Sequence, residues 1–184
     1  HTVQRALFDG EPVVLKKFGL HSAAERRAFM KEARRLRLLT HPHVVELRTV
    51  FTEGAPVVRV GWLELEYCAL GDLWQWLKLE DGEVRSRADR VRVLRQALCG
   101  LEHVHRCGVV HADVKPENVF VDAHGVAKLG DFDVSKDDAT RATMVRDGTL
   151  VGFSLLYVAP EVKDGGKATR SADIYSFGLT MYDV

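Results

Sequence analysis

Cysteine is scarce: Cys68, Cys99 and Cys107 are odd in number, follow no pattern and sit in helical or apolar contexts. Reduced thiols in a cytosolic or nuclear setting fit that usage better than a disulfide framework. An excess of charge of one sign is also missing, since 26 basic residues balance 26 acidic ones. No bulk field therefore recruits nucleic acid or another polyanion. No apolar run approaches the length needed to cross a bilayer, so no membrane contact is expected from this segment. No cysteine or acid completes a ligand set at zinc spacing with His103, His105 and His111, which argues against a metal held by histidines. No signal peptide is visible, and a chain that begins at His1 suggests that the true start was cut away. What is present is an apolar fraction of 46%, enough for a packed core.

Two β-rich runs, Val3 to Phe8 and Val13 to Phe18, flank Asp9-Gly10, a strong hairpin signal because glycine tolerates positive φ. Lys16 then shares a side with Val14 and Phe18. A lysine there is costly unless it lies at an edge, snorkels or is paired with an acid. Ser22-Ala23-Ala24-Glu25 is a capping box opening a helix that runs to about Leu39, ahead of Pro42. At helical spacing Phe29, Ala33, Leu36 and Leu39 form one apolar stripe, and Glu32 falls inside its arc. An inward Glu32 and an inward Lys16 solve each other's desolvation problem. Val44 to Phe51 and Val57 to Glu66 read as two further strands, the second alternating Leu63 and Leu65 with Glu64 and Glu66 as a half-buried strand does. Asp72, with Gln75 three residues on, caps another helix. Glu80 to Arg90 read as a solvated linker. From Ala88 to Cys107, Val91, Leu94, Leu98, Leu101 and Val104 recur at helical spacing, with Gly108 as the stop. Val119 to Val121 and Val126 to Leu129 form two short strands around Asp122-Ala123-His124-Gly125.

Between that long helix and those strands lies His111-Ala112-Asp113-Val114-Lys115-Pro116-Glu117-Asn118. Pro116 removes a backbone donor, so the segment cannot continue as a regular helix or inner strand, and a polar loop is expected. Asp113 can accept a proton from a hydroxyl nucleophile. Lys115 can balance negative charge on a transferred group, and Asn118 can ligate a hard cation.

This loop resembles the catalytic loop of the protein kinases, His-Arg-Asp-Leu-x-x-x-Asn. The resemblance extends over nearly the whole chain. Val13-Val14-Leu15-Lys16 is similar to the strand lysine motif, and Gly130-Asp131-Phe132-Asp133 to Asp-Phe-Gly. Tyr157-Val158-Ala159-Pro160-Glu161 is similar to the Ala-Pro-Glu signature, and Asp173-Ile174-Tyr175-Ser176-Phe177-Gly178 to the Asp-x-Trp-Ser-Phe-Gly start of the central helix. The fold this implies is α+β and bilobal, truncated at both ends. A small antiparallel sheet with one helix would span residues 1–65, a hinge 66–71, and a partial, mostly helical lobe 72–184.

The implied activity is transfer of the γ-phosphoryl group of Mg-ATP to a serine or threonine of a protein substrate. Asp113 would orient and deprotonate the acceptor and Lys115 would steady the γ-phosphate. Asn118 and Asp131 would hold Mg²⁺. Lys16, paired with Glu32, would hold the α and β phosphates. The resemblance further places Val3, Val14, Leu65 as gatekeeper, Phe120, and the hinge residues Glu66 and Cys68 around the nucleotide, with Asp72 at its ribose. His111 would be a structural imidazole. Leu36, Leu47, Phe132 and His111 would form a stacked spine based on Asp173. Ser154 would approach the catalytic Asp from an activation segment between Val134 and Val158. Lys115, two residues after Asp113, is similar to the serine/threonine class.

Three departures stand out. Ala112 replaces the arginine that in many kinases captures a phosphorylated activation segment, so phosphorylation of Thr140, Thr143 or Thr149 is expected to change activity little by that route. Asp133 replaces a glycine and adds a carboxylate beside Asp131. The glycine-rich phosphate loop is missing before Val3, and no helices follow the central one, so Glu161 is expected to lack its usual arginine partner. The 184 residues are therefore expected to be a fragment of a larger kinase domain, poorly stable and weakly active alone. A catalytically impaired pseudokinase acting as a nucleotide-binding scaffold is the alternative. A small-molecule kinase would need neither Ala159-Pro160-Glu161 nor a long activation segment.

Overall fold

The computed structural model describes residues 2–54, 59–78, 84–133 and 156–184, together with the backbone of short strands at 136–137, 145–146 and 149–150. The chain divides into two compact units, His1–His41 with Val45–Tyr67, and Pro42–Val44 with Cys68–Val184. Each has its own core.

The first unit is a four-stranded antiparallel sheet with one helix. Strands β1 (Thr2–Phe8), β2 (Glu11–Gly19), β3 (Leu47–Glu53) and β4 (Val60–Glu66) lie in the order β1-β2-β4-β3. Asp9 (φ 49°) and Gly10 (φ 83°) make the β1-β2 turn with both central residues left-handed, as the twist of a two-residue hairpin demands. Helix α1 (Ala23–Leu38) starts at the reciprocal Ser22 and Glu25 capping box. Its apolar stripe is buried as expected. A Cβ on Gly61 of β4 would lie 2.8 Å from the Phe29 ring, so glycine there lets helix and sheet meet.

Two expectations need correction in this unit. The third strand begins at Leu47 and not at Val44, because Val44 leaves the sheet to bridge Leu129 in the second unit. Glu64 is buried as deeply as its neighbour Leu63 is expected to be, at 4% exposure. Register sets Glu64 directly between Leu15 of β2 and Thr49 of β3, so same-face neighbours on both sides narrow its access to water.

In the second unit, α2 (Leu73–Leu77) opens at the Asp72 and Gln75 capping box, and α3 (Arg87–Arg106) opens at Ser86. The buried face of α3 is Val93, Leu94, Ala97, Gly100, Leu101 and Val104, while Val91 and Leu98 of the expected stripe are exposed. Small residues decide this. A Cβ on Gly100 would fall 2.1 Å from the His43 carbonyl oxygen, so the helix turns the Ala97 and Gly100 side toward the Pro42–Val44 segment. His43 in turn accepts from the Leu129 amide (3.0 Å), and its Nδ1 lies 3.1 Å from the Ala127 carbonyl.

Strand β5 (Val109–Val110) follows α3, and Pro116–Asn118 form a 3-10 turn leading into β6 (Val119–Val121), which pairs with β7 (Ala127–Leu129). Strand β8 (Lys136–Asp137) pairs with β5, and β9 (Val145–Arg146) pairs with β10 (Thr149–Leu150). Helices α4 (Pro160–Lys163) and α5 (Arg170–Asp183) complete the unit. Among the described residues no helix is long and apolar enough to cross a membrane.

Candidate active site

Lys16 and Glu32 lie on facing elements of the first unit, β2 and α1. Lys16 Nζ donates to Glu32 Oε1 at 2.9 Å, with 4% and 9% of the two residues exposed. Each charge answers the other, so neither is buried unpaired. Sheet register places Val3 opposite Lys16, and Val14 opposite Leu65. Val3, Val14, Lys16 and Leu65 thus occupy two rungs of one face, with the Leu15 rung between them. Glu66 lies at the end of β4, where a carboxylate oxygen accepts from the Glu46 amide.

The second unit gathers the other candidates. Asp113 Oδ2 accepts from Lys115 Nζ (2.7 Å) and from Asn118 Nδ2 (2.8 Å), and Asn118 Nδ2 also donates to the Asp113 carbonyl (2.7 Å). Pro116 gives the tight turn that returns Asn118 to Asp113, at the first position of the 3-10 turn, where a missing N–H costs nothing. The polar loop expected here forms, and within it His111, Asp113, Val114, Pro116 and Asn118 are buried. Asp113 Oδ2, Asn118 Nδ2 and both His111 ring nitrogens find partners within the loop and at Gly130.

Asp131 follows Gly130, whose amide donates to the Asn118 carbonyl at 2.9 Å. Asp131 has φ 58°, a left-handed conformation that Asp tolerates better than bulky residues, and its side chain is exposed. Asp72 pairs with Phe120 through an isolated bridge, which places both beside Asn118 along β6. Cys68 is buried at the start of this unit.

Beneath the loop, His111 is fully enclosed. Its Nε2 is 3.0 Å from the Gly130 carbonyl and its Nδ1 lies 3.3 Å from the Asp113 amide. A carbonyl only accepts and an amide only donates, so the proton belongs on Nε2 and the ring is neutral. Burial pushes its pKa below the usual histidine value, against the raising effect of Asp173. The ring also packs on Phe132, with centroids 4.8 Å apart.

The sign of the resulting pH effect follows from linkage. In the unfolded chain this histidine takes a proton near its ordinary pKa of about 6.5, whereas the folded site resists it. Stability is complete above about pH 6.5 and falls as pH drops through the window below it, by at most about 1.4 kcal/mol per pH unit. Urea midpoints at pH 7.5 and 5.5 should fall more in the wild type than in His111→Gln. Identical pH dependence in the two proteins would refute the assignment.

Asp173 is the residue whose importance the sequence understated. Its carboxylate accepts from the amides of His111 and Ala112, both at 2.8 Å, and lies 2.7 Å from His105 Nε2. It is 1% exposed, so α5 clamps the loop from below. His105, eight residues before Asp113, carried no signal except its place on α3. Ala112, at φ 70°, packs against Val158, Ala159, Val162 and Ala172. Tyr157 donates from its hydroxyl to Asp183 at 2.7 Å, and burial together with that carboxylate raises the phenol pKa. Among the described residues Glu161 makes no ion pair. Ser154, Thr140 and Thr143 lie outside the described residues, and of Thr149 only the backbone is described.

Residues 2–184 match the family described as Protein kinase domain. The chain belongs to the protein kinase family. Three curated proteins illustrate the relationship. The serine/threonine-protein kinase ppk16 of Schizosaccharomyces pombe is 36% identical over 176 residues, covering 90% of this chain and 24% of that protein. Serine/threonine-protein kinase Nek4 of Mus musculus is 28% identical over 178 residues, 96% of this chain and 22% of that protein. A bifunctional serine/threonine-protein kinase/NEDD4-like E3 ubiquitin-protein ligase of Dictyostelium discoideum is 28% identical over 188 residues, 99% of this chain and 10% of that protein. The kinase domain described above thus spans a quarter or less of the length of each. The sheet with one helix and the mostly helical second unit agree with the bilobal kinase fold expected from the motifs.

Proposed function

We propose that this domain transfers the γ-phosphoryl group of ATP to a serine or threonine hydroxyl of a protein substrate. The observation that supports this most is the state of Asp113. One carboxylate oxygen, Oδ2, is held by Lys115 and Asn118, while Oδ1 has no hydrogen-bond partner among the described residues. A carboxylate fixed at one oxygen and open at the other suits a base that must meet an incoming hydroxyl. Lys115, at its side, is positioned to neutralise charge on the group in transfer.

The donor set also suits a hard divalent cation. Asn118 spends its Nδ2 on Asp113, which leaves the amide oxygen for a metal, and Asp131 supplies an exposed carboxylate one residue past the Gly130 to Asn118 bond. Mg²⁺ bound there by Asn118 and Asp131 would supply positive charge to offset the phosphates. Lys16, held by Glu32, would bind the α and β phosphates. Val3, Val14, Leu65, Glu66, Cys68, Asp72 and Phe120 would surround adenine and ribose. The serine/threonine class is supported by Lys115 and by the names of the three relatives. A cytosolic or nuclear setting is supported by the cysteine usage.

A second reading, a nucleotide-binding scaffold without transfer, is favoured by one feature: Asp133, exposed two residues after Asp131, adds negative charge where phosphates must approach. Incubating the full-length protein with γ-labelled ATP, Mg²⁺ and casein separates the two. Label should enter casein with Mg²⁺ and not with excess EDTA, and comparing Asp133→Gly shows whether the extra carboxylate helps or hinders. Binding of ATP without any transfer would establish the scaffold.

The apolar seat of Ala112 supports a latch that needs no phosphate. Changing Thr140, Thr143 and Thr149 to Ala together should leave most casein phosphorylation in place. Complete loss would mean that another cation captures a phosphorylated threonine.

A further inference from the structure

The outer face of α1 carries a charge pattern that the proposed reaction does not use. The helix holds six basic residues and two acidic ones, in a chain whose charges balance overall. Both acids are committed elsewhere, Glu25 to the Ser22 cap and Glu32 to Lys16. Of the bases, Arg26 donates to the Leu20 carbonyl and Arg35 is buried. Arg27, Lys31, Arg34 and Arg37 are exposed, and with Met30 (45%) and Leu38 (59%) they fall within an arc of about 120° at helical spacing. The side chains of Arg27, Arg34 and Arg37 have no hydrogen bond or ion pair among the described residues.

This arrangement works against the helix itself. Arg34 with Arg37 is a like-charge pair at three-residue spacing, and such a pair repels. The pattern therefore makes sense as a surface for something anionic.

We propose that this face of α1 is a docking site for an acidic protein segment bearing aliphatic side chains. Charge complementarity sets the sign of the partner. Met30 and Leu38 set its class, because exposed aliphatic groups among arginines offer contacts that bare phosphates cannot use. A membrane is disfavoured because the helix has already buried its apolar stripe on the sheet and cannot turn it toward lipid. The face is about three helical turns long, the footprint of a peptide of about twelve residues in helical form.

Fluorescence anisotropy of the full-length protein tests this with a fluorescein-labelled helical peptide of about twelve residues, pairs of Glu alternating with single Leu. Charge reversal in Arg27→Glu, Arg34→Glu, Arg37→Glu should weaken binding at least about tenfold. The milder set Arg27→Gln, Arg34→Gln, Arg37→Gln should weaken it in the same direction, which covers the case of a reversed variant that fails to fold. Met30→Ser should weaken it several-fold. The proposal is overturned if neither set changes affinity, or if a peptide with Ser in place of Leu binds as tightly. It is overturned equally if phosphatidylserine vesicles or a DNA duplex bind more tightly with the same arginine dependence.

Discussion

Replacing Asp113 by Asn should lower phosphoryl transfer by about 10²- to 10⁴-fold while leaving the fold and ATP binding in place. The change is nearly isosteric, so the Pro116 turn and the His111 contacts need not move. What changes is chemistry at two atoms. An amide cannot accept the acceptor hydroxyl's proton. Depending on its rotamer, the new side chain also presents either an oxygen or an NH₂ group to Lys115 Nζ, where a carboxylate oxygen now sits at 2.7 Å. Measured as kcat on casein beside ATP affinity, the loss should appear in kcat. Transfer unchanged in Asp113→Asn would remove Asp113 as the base and with it the proposed mechanism.

The second large effect concerns Lys16 and Glu32. Lys16→Met leaves Glu32 as a buried carboxylate with no cation at 2.9 Å, a change that costs about 3–5 kcal/mol. Domains are typically stable by only about 5–15 kcal/mol, so the single variant should melt far earlier than the wild type. Combining it with Glu32→Leu removes both charges, and apolar replacements for a buried pair are neutral or stabilising by about 1–4 kcal/mol. The double variant should therefore recover the wild-type melting midpoint and still fail to bind ATP tightly. Rescue of stability without rescue of binding separates the structural from the proposed functional role of the pair. A double variant as unstable as the single one would show that the pair is not the cause.

Much of this was legible in the sequence, for identifiable reasons. The Lys16 and Glu32 pairing could be read because each residue broke a local apolar pattern, and two such breaks call for one another. Capping residues Ser22 and Asp72 were visible because their partners lie three positions away. What could not be read depends on neighbours distant in sequence. Val44 leaves its expected strand for Leu129, Glu64 is flanked on its own face by Leu15 and Thr49, and α3 faces inward along Gly100 because His43 arrives there. The same holds for Asp173. Its sequence motif indicated a role in the core, but the bonds it accepts from His111 and Ala112 come from residues some sixty positions earlier.

The passage of Pro42–Val44 through the second unit has a consequence for modularity. The polypeptide crosses between units after His41, after Val44 and after Tyr67. A cut at Tyr67, the place where a gene fusion or a shuffled exon would most simply divide the protein, strips the second unit of the peptide that fills the groove at Gly100 and completes the bonding of β7. Neither half can be traded between relatives as a continuous cassette; recombination that preserves both cores must carry the two units together.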